Sequence, residues 1–179
     1  LQLGVAYLDQ DKRRVDEPLD FSHKNWVSLR VFHRLALSLA RPELPGAAAL
    51  GLEAKHRAFL LQAMTEDPNA SPNPVYPDPK KSGLHYHTMI QGMMRAMPLE
   101  RIRYVGKAGR AFGFHLDNAY VEDRETGRAM VVTAVVYANS DGVLNDDRYG
   151  YDSVTRPFLK DLGEALARAV LLGERRGAG

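Results

Sequence analysis

The sequence predicts an α+β domain, with helices first, then a three-strand antiparallel meander, then a long terminal helix covering one face of the sheet. Three observations carry this. Apolar residues recur at three- and four-residue spacing in much of the first hundred positions. Between residues 102 and 137 the period falls to two, and the linking segments are short, so successive strands run antiparallel. From residue 152 to Gly173 the helical spacing returns.

The elements follow in order. Residues 5–8 and 13–16 read as extended pieces around the polar turn Asp9-Gln10-Asp11-Lys12, and residues 17–22 as a loop. Ser22, Asn25 or Ser28 supplies a capping oxygen for the helix that begins near Leu29. Its apolar face is Val31, Phe32, Leu35, Ala36, Leu39 and Ala40, and Pro42 and Pro45 stop it. Trp26, beside its start, reads as a packing anchor. A second helix over Glu53 to Thr65 turns Phe59, Leu60, Ala63 and Met64 inward. Pro68, Pro72, Pro74, Pro77 and Pro79 make residues 67–81 a loop between two periodic stretches. A third helix covers Gly83 to Ala96, with Met89, Met93, Met94 and Met97 as core gap-fillers.

The strands are Ile102 to Val105, Phe112 to Val121 and Met130 to Tyr137, with Glu125-Thr126-Gly127-Arg128 as the turn between the last two. Ser140 to Tyr151 is a polar loop. Asp152 or Ser153 opens the last helix, whose apolar stripe is Phe158, Leu159, Leu162, Ala165, Leu166, Ala169 and Val170; Gly173 ends it.

Composition narrows the function classes. The chain has 179 residues, 45% hydrophobic and 26% charged, which suits a packed domain. Lys plus Arg number 24 against 22 Asp plus Glu, a balance that argues against non-specific nucleic-acid binding. Cysteine is absent, so disulfides, thiolate zinc sites, thiol catalysis and iron–sulfur clusters are excluded. No apolar run approaches the ~18 residues a membrane span needs. The chain opens at Leu1 in a strand-like phrase without an initiating Met, and the expectation is that it starts inside a larger protein.

The first residues that suggest chemistry are Lys107-Ala108-Gly109, at the end of a strand. A lysine on a strand edge offers a fixed positive charge to a carboxylate or a developing anion, and a following glycine lets backbone approach a ligand. The same tripeptide also suits a surface lysine before a turn. Its context is Lys107-Ala-Gly-Arg-Ala-Phe-Gly-Phe-His-Leu-Asp-Asn-Ala-Tyr-Val121, which resembles the Lys-Thr-Gly strand and its partner in the penicillin-recognising serine hydrolases, the class A β-lactamase-like superfamily. Residues 17–25, Ser28-Leu-Arg30, residues 139–147 and Arg156-Pro-Phe-Leu-Lys-Asp-Leu-Gly163 resemble one branch of it, and the similarity runs from about residue 4 to 172.

The resemblance implies a β-lactamase/transpeptidase-like fold, here incomplete: residues 1–179 form one partial domain, with a loop and helical part at 1–100, sheet plus terminal helix at 101–173 and a frayed tail at 174–179. It implies acyl-serine hydrolysis of an amide or ester, on a small-molecule, β-lactam-like or peptidoglycan-like substrate, in a periplasmic or secreted protein without metal or cofactor. Lys107 would be the catalytic lysine of the rim, and Lys107, Ala108, Gly109 and Arg110 would bind substrate, the Arg110 N–H forming half of an oxyanion hole.

The family's nucleophile motif, Ser-x-x-Lys, does not occur in this chain. The near matches Ser38-Leu-Ala-Arg41 and Ser153-Val-Thr-Arg156 end in arginine, which cannot accept a proton at working pH. Ser71-Pro-Asn73 and Tyr137-Ala-Asn139 match the family's second motif by letters only, and Ala108 lacks the threonine hydroxyl. The chain alone is therefore expected to be inert, and its partner to be the missing N-terminal part of the same domain, or a second copy, joined through the Met130–Tyr137 strand edge with residues 3–8 as a surrogate strand. A non-catalytic binding or assembly module on the same scaffold is the alternative. A metal-dependent enzyme using His85, His87 and His115 is a third reading, against which stands the helical spacing of His85 and His87. His115 could face the cleft or serve structure. Asp141 to Asp147 is oxygen-rich but lacks the ligand order of a calcium loop, and reads as a capped turn.

Overall fold

The computed structural model describes residues 1–67, 69, 72–75 and 87–174. Four short strands open the chain: β1 (Gln2–Leu3), β2 (Ala6–Leu8), β3 (Arg14–Val15) and β4 (Leu19–Asp20). Helices α1 (Leu29–Ala40), α2 (Ala54–Ala63) and α3 (Thr88–Met93) follow. Then come β5 (Ile102–Ala111), β6 (Phe114–Asp123), β7 (Ala129–Tyr137), β8 (Val143–Leu144) and α4 (Arg156–Leu166). Wider helical turns at Tyr151–Thr155 and Ala167–Leu172 extend α4 at both ends, and Gly173, at φ 71°, terminates it. The class is α+β, with antiparallel sheets and a C-terminal helix, as the change of period requires.

The main sheet has the order β5-β6-β7, so β5 and β7 are both edges. Its register is unbroken from Ile102↔Asp123 to Ala111↔Phe114 and from Phe114↔Tyr137 to Glu122↔Ala129. Phe112 and Gly113 form the β5–β6 turn at φ 55° and 86°, the left-handed pair that a two-residue hairpin needs. Phe112 therefore belongs to a turn and not, as its sequence suggests, to the strand. Its ring packs edge-on against Phe21, with centroids 5.0 Å apart. The second turn lies where Glu125–Arg128 predicts it. Asp123, fully buried, organises it: its carboxylate accepts from Glu125 N–H (3.1 Å) and Thr126 Oγ1 (2.7 Å) and takes Arg101 bidentately (3.1 and 2.7 Å). Arg101, ahead of these hydrogen bonds, holds the Asp123 carboxyl well below the usual carboxylate range.

Alternation along this ladder makes two faces. Ile102, Tyr104, Ala119 and Val121, with Met130, Val132, Ala134 and Val136, face a core built with Met89, Ile90 and Met93 of α3 and Leu159, Leu162, Ala167 and Leu171 of the terminal helix. Met97 joins them, and Met94 is exposed. Residues 83–86 of the expected third helix, and the tail from 175 onward, lie outside the described residues. Helices α3 and α4 touch through two glycines. A Cβ on Gly92 would fall 1.8 Å from the Lys160 carbonyl oxygen, and one on Gly163 would fall 2.1 Å from that of Met89.

On the opposite face α1 lies over β6 and β7. Ser28 is its cap, accepting from Val31 N–H at 3.2 Å. Asn118 Nδ2 donates to Phe32 O (3.1 Å), Thr133 Oγ1 donates to Asn118 Oδ1 (3.0 Å), and His33 Nδ1 donates to Thr133 (3.1 Å).

Three expectations fail on this side. Val31 and Leu35 are exposed, although they belong to the apolar face of α1; Phe59 is 68% exposed and α2 buries no residue; Trp26, expected to be a packing anchor, is 75% exposed. Apolar spacing marks a helix, but burial needs a second surface, and no described element supplies one here.

The N-terminal strands also pair unexpectedly. β2 and β3 form the hairpin around Asp9–Lys12, with Asp9 Oδ1 accepting from Asp11 and Arg13 N–H, each at 2.8 Å. β8, inside the segment expected to be loop, runs parallel beside β2. Residues 3–8 therefore pair with β4, β3 and β8, and not with the β7 edge.

Candidate functional site

Lys107, Ala108, Gly109 and Arg110 occupy the outer edge strand β5. Lys107, Gly109 and Arg110 are exposed and Ala108 is half-buried. The Lys107 side chain lies on the α1 face of the sheet, and its Nζ donates to the neighbouring Ala108 carbonyl. No carboxylate pairs with it among the described residues. Among the described residues, α1 covers β6 and β7 and leaves Lys107 exposed at this end of β5. A Cβ built on Gly109 meets nothing within 4 Å.

The ladder also sets the direction of the backbone. Gly106 N–H donates away from the sheet to Met64 O (3.2 Å), which puts even-numbered β5 residues in the outward phase. With the register unbroken, the N–H groups of Ala108 and Arg110 aim at the same outer edge. A strand edge bearing an ammonium and two outward N–H groups suits an anion or a polarised carbonyl. The Arg110 guanidinium turns to the other face, 5.8 Å above the Tyr151 ring.

His115 lies directly opposite Arg110 in the ladder, on the face of the sheet away from Lys107. It is 1% exposed, on the core face, one position from Asp117 in the same row. Thr155 Oγ1 donates to Tyr151 O (3.2 Å), so it accepts from His115 Nδ1–H (2.7 Å), and His115 Nε2 accepts from Thr88 Oγ1 (3.1 Å). Burial, and then the Arg110 charge, push the imidazole down from 6.5 to about 4. Both nitrogens are used, so the structural role holds and the cleft role does not.

This shift has a measurable consequence. The unfolded chain takes up the proton near 6.5 and the folded one only near 4, so stability is complete above pH 6.5 and falls as pH drops through that window. At about 1.4 kcal/mol per unit the loss approaches ~3 kcal/mol. Urea titrations of wild type and His115→Asn at pH 7.5, 5.5 and 4 check it: the variant loses this step. Parallel loss in both proteins would remove His115 as its source.

Asp117, invisible as a site residue in the sequence, is the hub of the core face. It is fully buried and accepts from Tyr104 Oη (2.8 Å), Met89 N–H (2.9 Å) and, more loosely, His87 Nδ1 (3.4 Å). Burial raises the Tyr104 hydroxyl well above its ordinary value, so it remains a donor. The only sequence signal for this hub is an aspartate at an inward position of an apolar strand.

The remaining candidates separate. His85 and Ser71 lie outside the described residues, and among those described no group of three His, Asp or Glu side chains is gathered to hold a metal. Ser38 is buried and spent, donating to Arg34 O and accepting from Ala48 N–H, both at 2.7 Å. In the 141–147 segment, Asp141 accepts from Val143 N–H (2.9 Å) and Asn145 donates to Leu8 O (3.1 Å), which makes it a capped turn tied to β2. No family model matches the chain, and neither a curated protein nor a solved structure matches it. Among the described residues no helix is long and apolar enough to cross a membrane.

Proposed function

We propose that this chain is the C-terminal part of a β-lactamase-like serine hydrolase and that Lys107 to Arg110 form one rim of its cleft. The observation that supports this most is the open outer edge of β5, where an exposed lysine lies beside two outward N–H groups. The Lys107 ammonium holds the anionic end of an amide or ester substrate or assists proton transfer. The Arg110 N–H polarises the scissile carbonyl as half of an oxyanion hole. Gly109 keeps the approach clear.

The nucleophilic serine and its lysine belong to polypeptide outside this chain, and the chain alone binds without turning over. The edge of β7, unpaired among the described residues, is where the missing portion adds strands. The uncharged, proline-free run Ala129–Tyr137 lacks the usual protection of an edge, and Val135 and Tyr137 are exposed on it. A periplasmic or secreted location follows from the same resemblance.

A fluorescent penicillin and a fluorophosphonate test the proposal. This chain alone takes no covalent label. The protein extended through a preceding Ser-x-x-Lys segment is labelled on serine, and Lys107→Ala slows labelling by about 100-fold. An intact protein that lacks that motif and takes neither label would be the non-catalytic module.

A further inference from the structure

The positive charge of the chain is concentrated in one stretch. Residues 21–65 carry six Lys or Arg and two Asp or Glu, whereas the whole sequence has 24 against 22. Both of those acids are taken: Glu43 pairs with Arg41, and Glu53 with Lys55 at 2.9 Å. Lys24, Arg30, Arg34 and Arg57 have no carboxylate partner among the described residues. From Phe21 to Pro42, which includes all of α1, there is no acidic residue.

Helix α1 sorts its exposed side chains into rows. Its inner side meets the sheet, where Asn118 Nδ2 donates to Phe32 O and His33 reaches Thr133. Val31 and Leu35, one turn apart, form an exposed apolar row. Arg30 and Arg34 form an exposed cationic row beside it. The Arg34 Nε donates to the Gly46 carbonyl (2.9 Å), and the Arg30 guanidinium has no acceptor among the described residues. Trp26 and Val27, just ahead of the Ser28 cap, and Leu29 are exposed as well.

This pattern selects the occupant. An apolar row with a tryptophan at its start, flanked by charges of one sign, suits the boundary between acyl chains and anionic headgroups. Arginines there meet lipid phosphates, and Trp, Val and Leu enter the apolar layer. A second copy is disfavoured, because a twofold contact through this face would set the same unneutralised cations against each other.

We infer that α1 and the residues leading into it dock on an anionic lipid surface, with Trp26, Val27, Val31 and Leu35 in the headgroup–acyl boundary and Arg30 and Arg34 on the phosphates. The helix lies on the bilayer and does not cross it. The surface stands whether or not the hydrolase reading holds, because it uses neither Lys107 nor a nucleophile.

Trp26 is the only tryptophan in the chain, so its emission reports on this face alone. Vesicles of equal parts phosphatidylcholine and phosphatidylglycerol shift that emission to the blue, and bromine-labelled acyl chains quench it. Phosphatidylcholine alone binds at least about tenfold more weakly, and added salt weakens the binding to the mixed vesicles. Arg30→Gln weakens binding about fivefold, and Arg30→Gln with Arg34→Gln about 25-fold. Arg30 has no partner in the fold, so its variant keeps the wild-type urea midpoint, which separates lost binding from lost folding. Val31→Ser with Leu35→Ser weakens binding by about tenfold. No blue shift or quenching at any lipid concentration, equal binding to neutral vesicles, or undiminished binding in the double arginine variant would overturn the assignment. So would a blue shift that grows with protein concentration in the absence of vesicles, since a second copy would then cover this face.

Discussion

Gly163→Ala destabilises this domain by at least ~3 kcal/mol, and Gly92→Ala does the same. Helix propensity alone predicts the opposite, a gain of about 1 kcal/mol for alanine inside a helix. The added methyl at Gly163 would sit 2.1 Å from the Met89 carbonyl oxygen, and at Gly92 1.8 Å from that of Lys160. Both obstacles are backbone, so no rotamer change relieves them. The helices must separate, and Met89, Ile90, Met93 and Leu159 lose their packing together. Urea denaturation of the two variants measures it. An unchanged or raised midpoint would show that α3 and α4 do not approach this closely.

Asp117→Ala costs about 3 to 5 kcal/mol, because it strands buried donors that have no water to turn to. Tyr104 Oη and Met89 N–H both lose their acceptor, and His87 loses its anchor. Tyr104→Phe removes one donor and costs about 1–2 kcal/mol. The double variant then falls well short of the sum, since Asp117→Ala has already removed what Tyr104 binds. Chemical denaturation of the four proteins gives the coupling. Additive losses would mean that the two side chains do not share a bond.

The rim and the hub differ in how they could be found. Lys107-Ala-Gly stands out as a string, because a charged residue and a glycine on a strand invite a functional question. Asp117 sits ten residues further along in the same resembling stretch and carries no local mark. Its partners come from β5, α3 and the segment leading into α3, up to 30 residues away in sequence. His115 was visible as a candidate, but which face it takes depends on the register, since a shift of one residue would have turned it toward α1.

Periodicity determined the meander, the terminal helix with its Gly173 stop, α1, and the turn at Glu125–Arg128, because these follow from short-range sterics and alternation, while the structure chose Ser28 among the three capping candidates. Tertiary structure alone decided which apolar faces are covered. It left Trp26, Val31, Leu35 and Phe59 exposed, drew β8 beside β2, and set Gly92 against Gly163. The physical reason is that burial and close approach are properties of two surfaces together. A single stretch of sequence states what its own surface offers, and only the folded chain states what meets it.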